Sequence, residues 1–274
     1  MTARTVAEAS YELLKARGVT RIFGNPGSNE LTMLTSLPDG IEYVLALQEG
    51  AAIAIADGFA QASGELGVVN LHSSSGTGNA MGNLTNSAAA HAPLLVIAGQ
   101  QSRRYVPLNA MLTNNDATRL TEPLVKFSAE PLRPDDVPLA LSQAALSAQS
   151  APTGPTFVSV PLDDWNRPMD AAAAEPLLSR RVAGIPVVRD AELEEIIAAL
   201  DAAVSPVLVL GPGAGGRRRT TLAAETGVAT ALPTTRPMMM PHVSRDPKAA
   251  FKEAPVILPP AFASANTGRM SQVT

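Results

Sequence analysis

The stretch "LGVVNLHSSSGTGNAMGNLTNSAAAHAPLLVIAG", residues 66–99, decides the fold class. Two near-continuous apolar runs of strand length, "LGVVNLH" and "APLLVIAG", enclose a helical segment that opens at "SSSGTGN". Neither run alternates apolar with polar residues, so both faces of each strand need cover. Strand, helix, strand in that order is the repeating unit of a parallel sheet.

The same alternation extends outward to about residues 1–163. A helix is expected over Thr5 to Arg17, with Ala7, Tyr11 and Leu14 on one face and Gly18 as its stop. The strand "TRIFG" follows, then the turn-rich "NPGSN" and a short helix through Leu31 and Leu34. A buried strand is expected over Tyr43 to Leu47, then a helix from Glu49 to about Ala62 with a buried face at Ala51 to Ala56. Beyond residue 99 come "LVKFSA", a helix over Asp135 to Ala148, and the strand "PTFVSVP". The predicted architecture is α/β, a parallel sheet with helices on both faces. Residues 164–186 have no clear period and read as a linker. A second unit, 187–274, starts with a helix from Asp190 to Ala203 and the strand "PVLVLG". From residue 233 onward the pattern reads as irregular or disordered.

Composition narrows the class of protein. The 274 residues are 46% hydrophobic and 17% charged, which suits a folded globular chain. A formal charge of -4 with no long basic run gives no reason to expect a nucleic-acid partner. There is no cysteine, so disulfides and thiolate metal sites are excluded. No apolar run approaches membrane-spanning length and no signal peptide is evident, so a cytoplasmic location is expected.

In a parallel sheet, ligands bind beyond the carboxyl ends of the strands. Three polar loops fall there: "GNPGSN", "QEG" and "HSSSGTGN". Glu49 lies in the second, between two apolar runs and with no Lys or Arg near in sequence. A buried carboxylate without a partner is costly, so Glu49 either starts a helix or faces something outside the chain. The glycines of "SSSGTGNAMG" either let the backbone approach a ligand or serve tight helix packing, and spacing alone does not separate these. Ser28 and His72 suggest a Ser–His pair, but no G-x-S-x-G elbow is present. His91 reads as a packed or capping histidine, His242 is unplaced, and the three histidines have no metal-ligand spacing. Gly211, Gly213 and Gly216 match G-x-G-x-x-G after a strand, but the acidic residue expected about 20 positions on is missing. A glycine-rich turn without a nucleotide is the simpler reading.

The motifs "FGNPGSNEL", "LALQEG", "NLHSSSGTGNAMGNLTN", "PLLVIAGQQ", "MLTN", "PLVKFS" and "GPTFVSVPLDDW" together resemble the thiamine diphosphate-dependent decarboxylases, from about residue 6 to about 213. The resemblance implies a first domain that binds the aminopyrimidine ring of thiamine diphosphate, followed by a partial Rossmann-like middle domain. It implies that Glu49 hydrogen-bonds the pyrimidine nitrogen and that Pro26 and Gly27 pack against that ring. Ser28 would meet the substrate carboxylate and His72 would transfer protons. Met111 and Leu112 would line the pocket for an aromatic ring, with Met111 where related enzymes carry Leu. The activity implied is non-oxidative decarboxylation of a small aromatic 2-oxo acid.

Two departures accompany the resemblance. Family members are much longer, and their third domain holds the diphosphate and Mg2+ through a Gly-Asp-Gly motif. No "GDG" occurs here, and no counterpart of the family's second catalytic histidine is found. The chain is therefore expected to be incomplete as an enzyme, through truncation, a shifted frame or a split gene. It would act as a homo-oligomer or with a complementary subunit. The alternatives are a non-catalytic cofactor-binding or interaction remnant, and a nucleotide-binding protein using the second-unit glycines.

Overall fold

Thr5 starts the first helix by a reciprocal cap. Its Oγ1 accepts the Glu8 N–H at 3.2 Å, and the Glu8 carboxylate accepts the Thr5 N–H at 2.8 Å. In the computed structural model, residues 4–182, 189–204, 207–209 and 229–231 are described. The chain divides into two compact units, Met1–Gly184 and Ile185–Thr274.

In chain order the first unit comprises β1 (Arg4–Thr5), α1 (Val6–Ala16), β2 (Arg21–Asn25), α2 (Leu31–Leu34), β3 (Glu42–Leu45), α3 (Glu49–Ser63), β4 (Gly67–Leu71) and α4 (Ser73–Ala89). It continues with β5 (Leu94–Gln100), α5 (Ala117–Thr121), β6 (Ser128–Ala129), α6 (Val137–Gln149), β7 (Thr156–Pro161), β8 (Pro168–Met169) and α7 (Ala171–Leu178). Six strands form one sheet in the order β3-β2-β4-β5-β7-β6, with every pairing parallel.

Both faces of the sheet are buried, as the apolar strands require. On β2, Ile22 joins a core with α1, α6 and α7, while its neighbour Phe23 joins a second core with α3 and α4. Val68 and Val69 of β4, and Leu95 and Val96 of β5, divide the same way. The period of two thus runs between two apolar layers rather than between core and water.

Four expectations are corrected. The run Tyr43 to Leu47 is not a buried strand: β3 is the edge of the described sheet, Leu45 is 60% exposed and Leu47 is 90% exposed. On α3 only part of the Ala51 to Ala56 run is buried, with Ala52, Ile53 and Ala56 inside and Ile55 outside. The stretch 164–186 also departs from a linker at its start. β8 pairs antiparallel with β1, and Trp165, Met169, Ala174 and Leu177 enter the first core. These residues come from a turn, a bridge and a helix in succession, so they share no single period. The expected strand in "LVKFSA" shortens to β6.

The second unit contributes α8 (Asp190–Ala202) and the parallel pair β9 (Val207–Val209) with β10 (Ala229–Ala231). The glycine run Gly211, Gly213, Gly216, His242 and the segment from residue 233 lie outside the described residues. Among the described residues no helix is long and apolar enough to cross a membrane.

Candidate functional site

Strand order creates the site. From β2 the chain moves one way to β3, then returns to place β4 on the other side of β2. Met33 of α2 enters the first core, whereas Ala80 and Leu84 of α4 enter the second. The loops leaving β2 and β4 therefore diverge to opposite faces and open a crevice at their carboxyl ends. "NPGSNE" and "HSSSG" line that crevice.

Glu49 opens α3 and is only 8% exposed. It is not the cap: Gln48 is, its Oε1 accepting the Ala51 N–H at 2.9 Å. The Glu49 carboxylate receives two neutral amides, Asn25 Nδ2 on Oε1 and Asn79 Nδ2 on Oε2, both at 3.1 Å. Among the described residues no ion pair involves Glu49. A carboxylate in that setting keeps the capacity to meet a protonatable group from outside the chain.

His72 follows β4 directly, and Ser73 after it takes a positive φ of 38°. The His72 ring is anchored by Glu30, which is 1% exposed. Glu30 Oε2 accepts the Gly27 N–H at 2.7 Å and lies 2.9 Å from His72 Nδ1, and Oε1 accepts the Ser73 N–H at 3.3 Å. A carboxylate already receiving backbone donors assigns the hydrogen to Nδ1, which leaves Nε2 for other partners. Gly76 joins the two halves of the site: a Cβ there would lie 3.1 Å from Glu49 Cγ and 3.3 Å from His72 Cβ.

The structure thus gathers Pro26, Gly27, Glu49 and His72 around one crevice. Ser28 is exposed on the loop between Gly27 and Glu30. Met111 and Leu112 lie in the loop after β5, on the same edge of the sheet. Met111 is 85% exposed, and the loop is tied by Gln101 Nε2 to the Met111 carbonyl at 2.9 Å rather than to Glu49 or His72. Leu112 adopts a left-handed φ of 71°.

Sequence reasoning missed Glu30, Asn25 and Asn79. Glu30 carries the signal already used for Glu49, a carboxylate in a loop with no nearby cation. Gly76, Asn79 and Asn83 are spaced to share one face of α4, and Asn83 Nδ2 binds the Gly50 carbonyl at 2.9 Å. That polar stripe facing α3 was the available clue. Among the described residues no group of three or more His, Asp or Glu could hold a metal ion.

Gly27 offers a test of the His72 anchor. A Cβ at this position would overlap the imidazole, so Gly27→Ala should swing the ring away from Glu30. With three histidines in the chain, the Nδ1 proton of His72 can be assigned by NMR. It should be observable in the parent protein and vanish in Gly27→Ala and in Glu30→Leu. Its survival in both variants would contradict the anchor.

A parallel sheet with this crevice at its switch point is the frame of a cofactor-binding domain. Residues 4–120 match the family model for the thiamine pyrophosphate enzyme N-terminal TPP binding domain, so this stretch is similar to that domain. Over 244 residues, 89% of this chain and 46% of the relative, it is 46% identical to benzoylformate decarboxylase of Pseudomonas aeruginosa. That alignment is longer than the motif-bearing stretch of about residues 6–213. Acetolactate synthase isozyme 3 large subunit of Escherichia coli is 31% identical over 76% of this chain and 37% of its own length. Among solved structures, the thiamine diphosphate-dependent 4-hydroxybenzoylformate decarboxylase of Rhodococcus jostii RHA1 superposes with a TM-score of 0.77 at 45% identity. That superposition covers 84% of this chain and 44% of that one. The chain spans about half the length of these relatives or less.

Proposed function

We propose that this chain is the pyrimidine-binding part of a thiamine diphosphate-dependent, non-oxidative decarboxylase of an aromatic 2-oxo acid. The observation that carries the proposal is Glu49, a buried carboxylate held by two neutral amides with no cation partner among the described residues. The 46% identity to benzoylformate decarboxylase supports the substrate class. Thiamine diphosphate, when bound, supplies the electron sink that lets carbon dioxide leave a 2-oxo acid.

The residues divide the remaining work. Glu49 exchanges a proton with the pyrimidine nitrogen, and Asn25 and Asn79 fix its carboxylate in direction. Pro26 and Gly27 offer a backbone surface for the ring. The exposed Ser28 hydroxyl donates to the substrate carboxylate. His72 moves protons at Nε2, with its ring held through Nδ1 by Glu30. Met111 and Leu112 give the aromatic substituent an apolar wall. The diphosphate and its Mg2+ would be held by a further domain or a partner subunit, with the unit Met1–Gly184 serving the pyrimidine and Ile185–Thr274 as a Rossmann-like unit.

Calorimetry with thiamine diphosphate and Mg2+ should give little heat with this chain alone at micromolar protein. Adding the C-terminal part of the Pseudomonas aeruginosa relative in trans should restore cofactor-dependent carbon dioxide release from benzoylformate. A mixture that binds the cofactor but leaves benzoylformate intact would overturn the substrate. Tight Mg2+-dependent binding by the chain alone would overturn the division of the site.

A further inference from the structure

The edge of the sheet opposite the crevice holds a second cavity. It is bounded by the loops that enter the strands, at Gly64, Pro93, Gln149 and Thr153, and by Arg17 and Arg181. Its volume is about 380 Å3, within the range of small-ligand sites.

Arg17 ends α1 and is partly buried. Its Nη2 donates to Ser142 Oγ at 3.2 Å, while its Nε is buried with no acceptor. Arg180 and Arg181 add two guanidinium groups. Among the described residues none of the three forms an ion pair. Burial lowers the Arg17 pKa, and the charges of Arg181 and Arg180 lower it further.

Helix carbonyls account for part of this charge. Arg181 Nη1 donates to the carbonyls of Leu178 and Arg180 at 2.6 and 2.8 Å, which caps the end of α7. They do not reach Arg17, whose guanidinium donates to Ser142 Oγ. Three cations without a carboxylate match a dianion better than a monocarboxylate, and guanidinium forks suit phosphate oxygens.

We propose that this cavity binds the phosphate group of a small molecule, with the Arg17 and Arg181 guanidinium groups that line it as donors. The site lies away from Glu49 and His72 and does not depend on the function proposed for them. A phosphate placed there offsets the repulsion among the three arginines. The cavity has room for an organic group attached to that phosphate.

The test uses the full chain without thiamine diphosphate, titrated with inorganic phosphate and separately with glycerol 3-phosphate, against chloride at equal ionic strength. Saturable binding with a rise in melting temperature is expected. Arg17→Gln and Arg181→Gln should each weaken it at least tenfold, and Arg119→Gln, an exposed arginine on α5, should leave it unchanged. Tighter binding of the ester than of free phosphate identifies an organic phosphate as the ligand, and the reverse identifies the free ion. If Arg17→Gln fails to fold, Arg181→Gln alone decides. Protection no greater than that of chloride, or binding that survives Arg181→Gln, would overturn the site.

Discussion

Glu49→Gln should lower decarboxylation by about 10²–10⁴-fold, the usual worth of a positioned acid–base group, in any assembly of this chain that turns over. The fold should be almost unaffected. Removing a buried charge is favourable, whereas losing a carboxylate from the first turn of α3 forfeits about 0.3–1 kcal/mol of helix-dipole interaction. The new amide also turns one acceptor into a donor facing an asparagine NH2. Asn79 is exposed and can rotate its amide to compensate. The net change in stability is therefore expected within about 1 kcal/mol. Because Gln48 performs the capping, a purely structural Glu49 has little left to do. Thermal melts and one coupled assay on the two proteins check this. Full activity in Glu49→Gln would remove the cofactor role.

Arg103→Met should cause the largest loss of stability. Arg103 Nε and Nη2 donate to Asp164 Oδ1 and Oδ2 at 2.7 and 2.6 Å, and Nη2 also reaches the Pro131 carbonyl at 2.8 Å. Asp164 is fully buried, and Arg103 keeps about a third of its side chain exposed. Burial opposes both charges. For Arg103 the bond to Asp164 wins and holds its pKa up, while for Asp164 burial wins and pushes the carboxyl above its ordinary value. Deleting Arg103 strands the buried carboxylate, at a cost of about 3 kcal/mol after allowing for the exposed partner. For a unit of this size that lowers the melting temperature by roughly 6–12 °C.

The pH dependence has a definite sign. The stranded Asp164 has a folded pKa above its unfolded value, so its contribution is most favourable below the unfolded pKa and is lost as pH rises through the folded one. The penalty in Arg103→Met should therefore shrink as pH falls. Adding Asp164→Leu should recover much of the stability at neutral pH. A melting temperature unchanged by Arg103→Met would show that the pair does not hold the loop bearing Met111 and Leu112 to the end of β7.

Both variants concern residues with different legibility. Glu49 stood out because it interrupts an apolar run and His72 because it ends one, both visible in local sequence, while the roles given to them came from the resemblance. The parallel sheet was readable for the same reason: "GVVNL" and "LLVIAG" admit no solvent face. Gly18 and Gly64, with φ of 80° and 79°, end α1 and α3 where a left-handed residue is needed, which is also a local demand.

What the sequence by itself determined is thus most strands and helices of the parallel sheet, its class and the polar loops beyond the carboxyl ends of its strands. Only the tertiary structure decided their neighbours. Leu45 and Leu47 are as apolar as the core but end at an edge, because strand order and not hydrophobicity sets which strand lacks a neighbour. Glu30 meets His72 across 42 positions, and Arg103 meets Asp164 across 61. Arg17 was an ordinary helix end until α6, α7 and three loops enclosed it. Propensity and periodicity act over a few residues along the chain, whereas pairing, burial and charge compensation act across space, and the fold alone sets those distances.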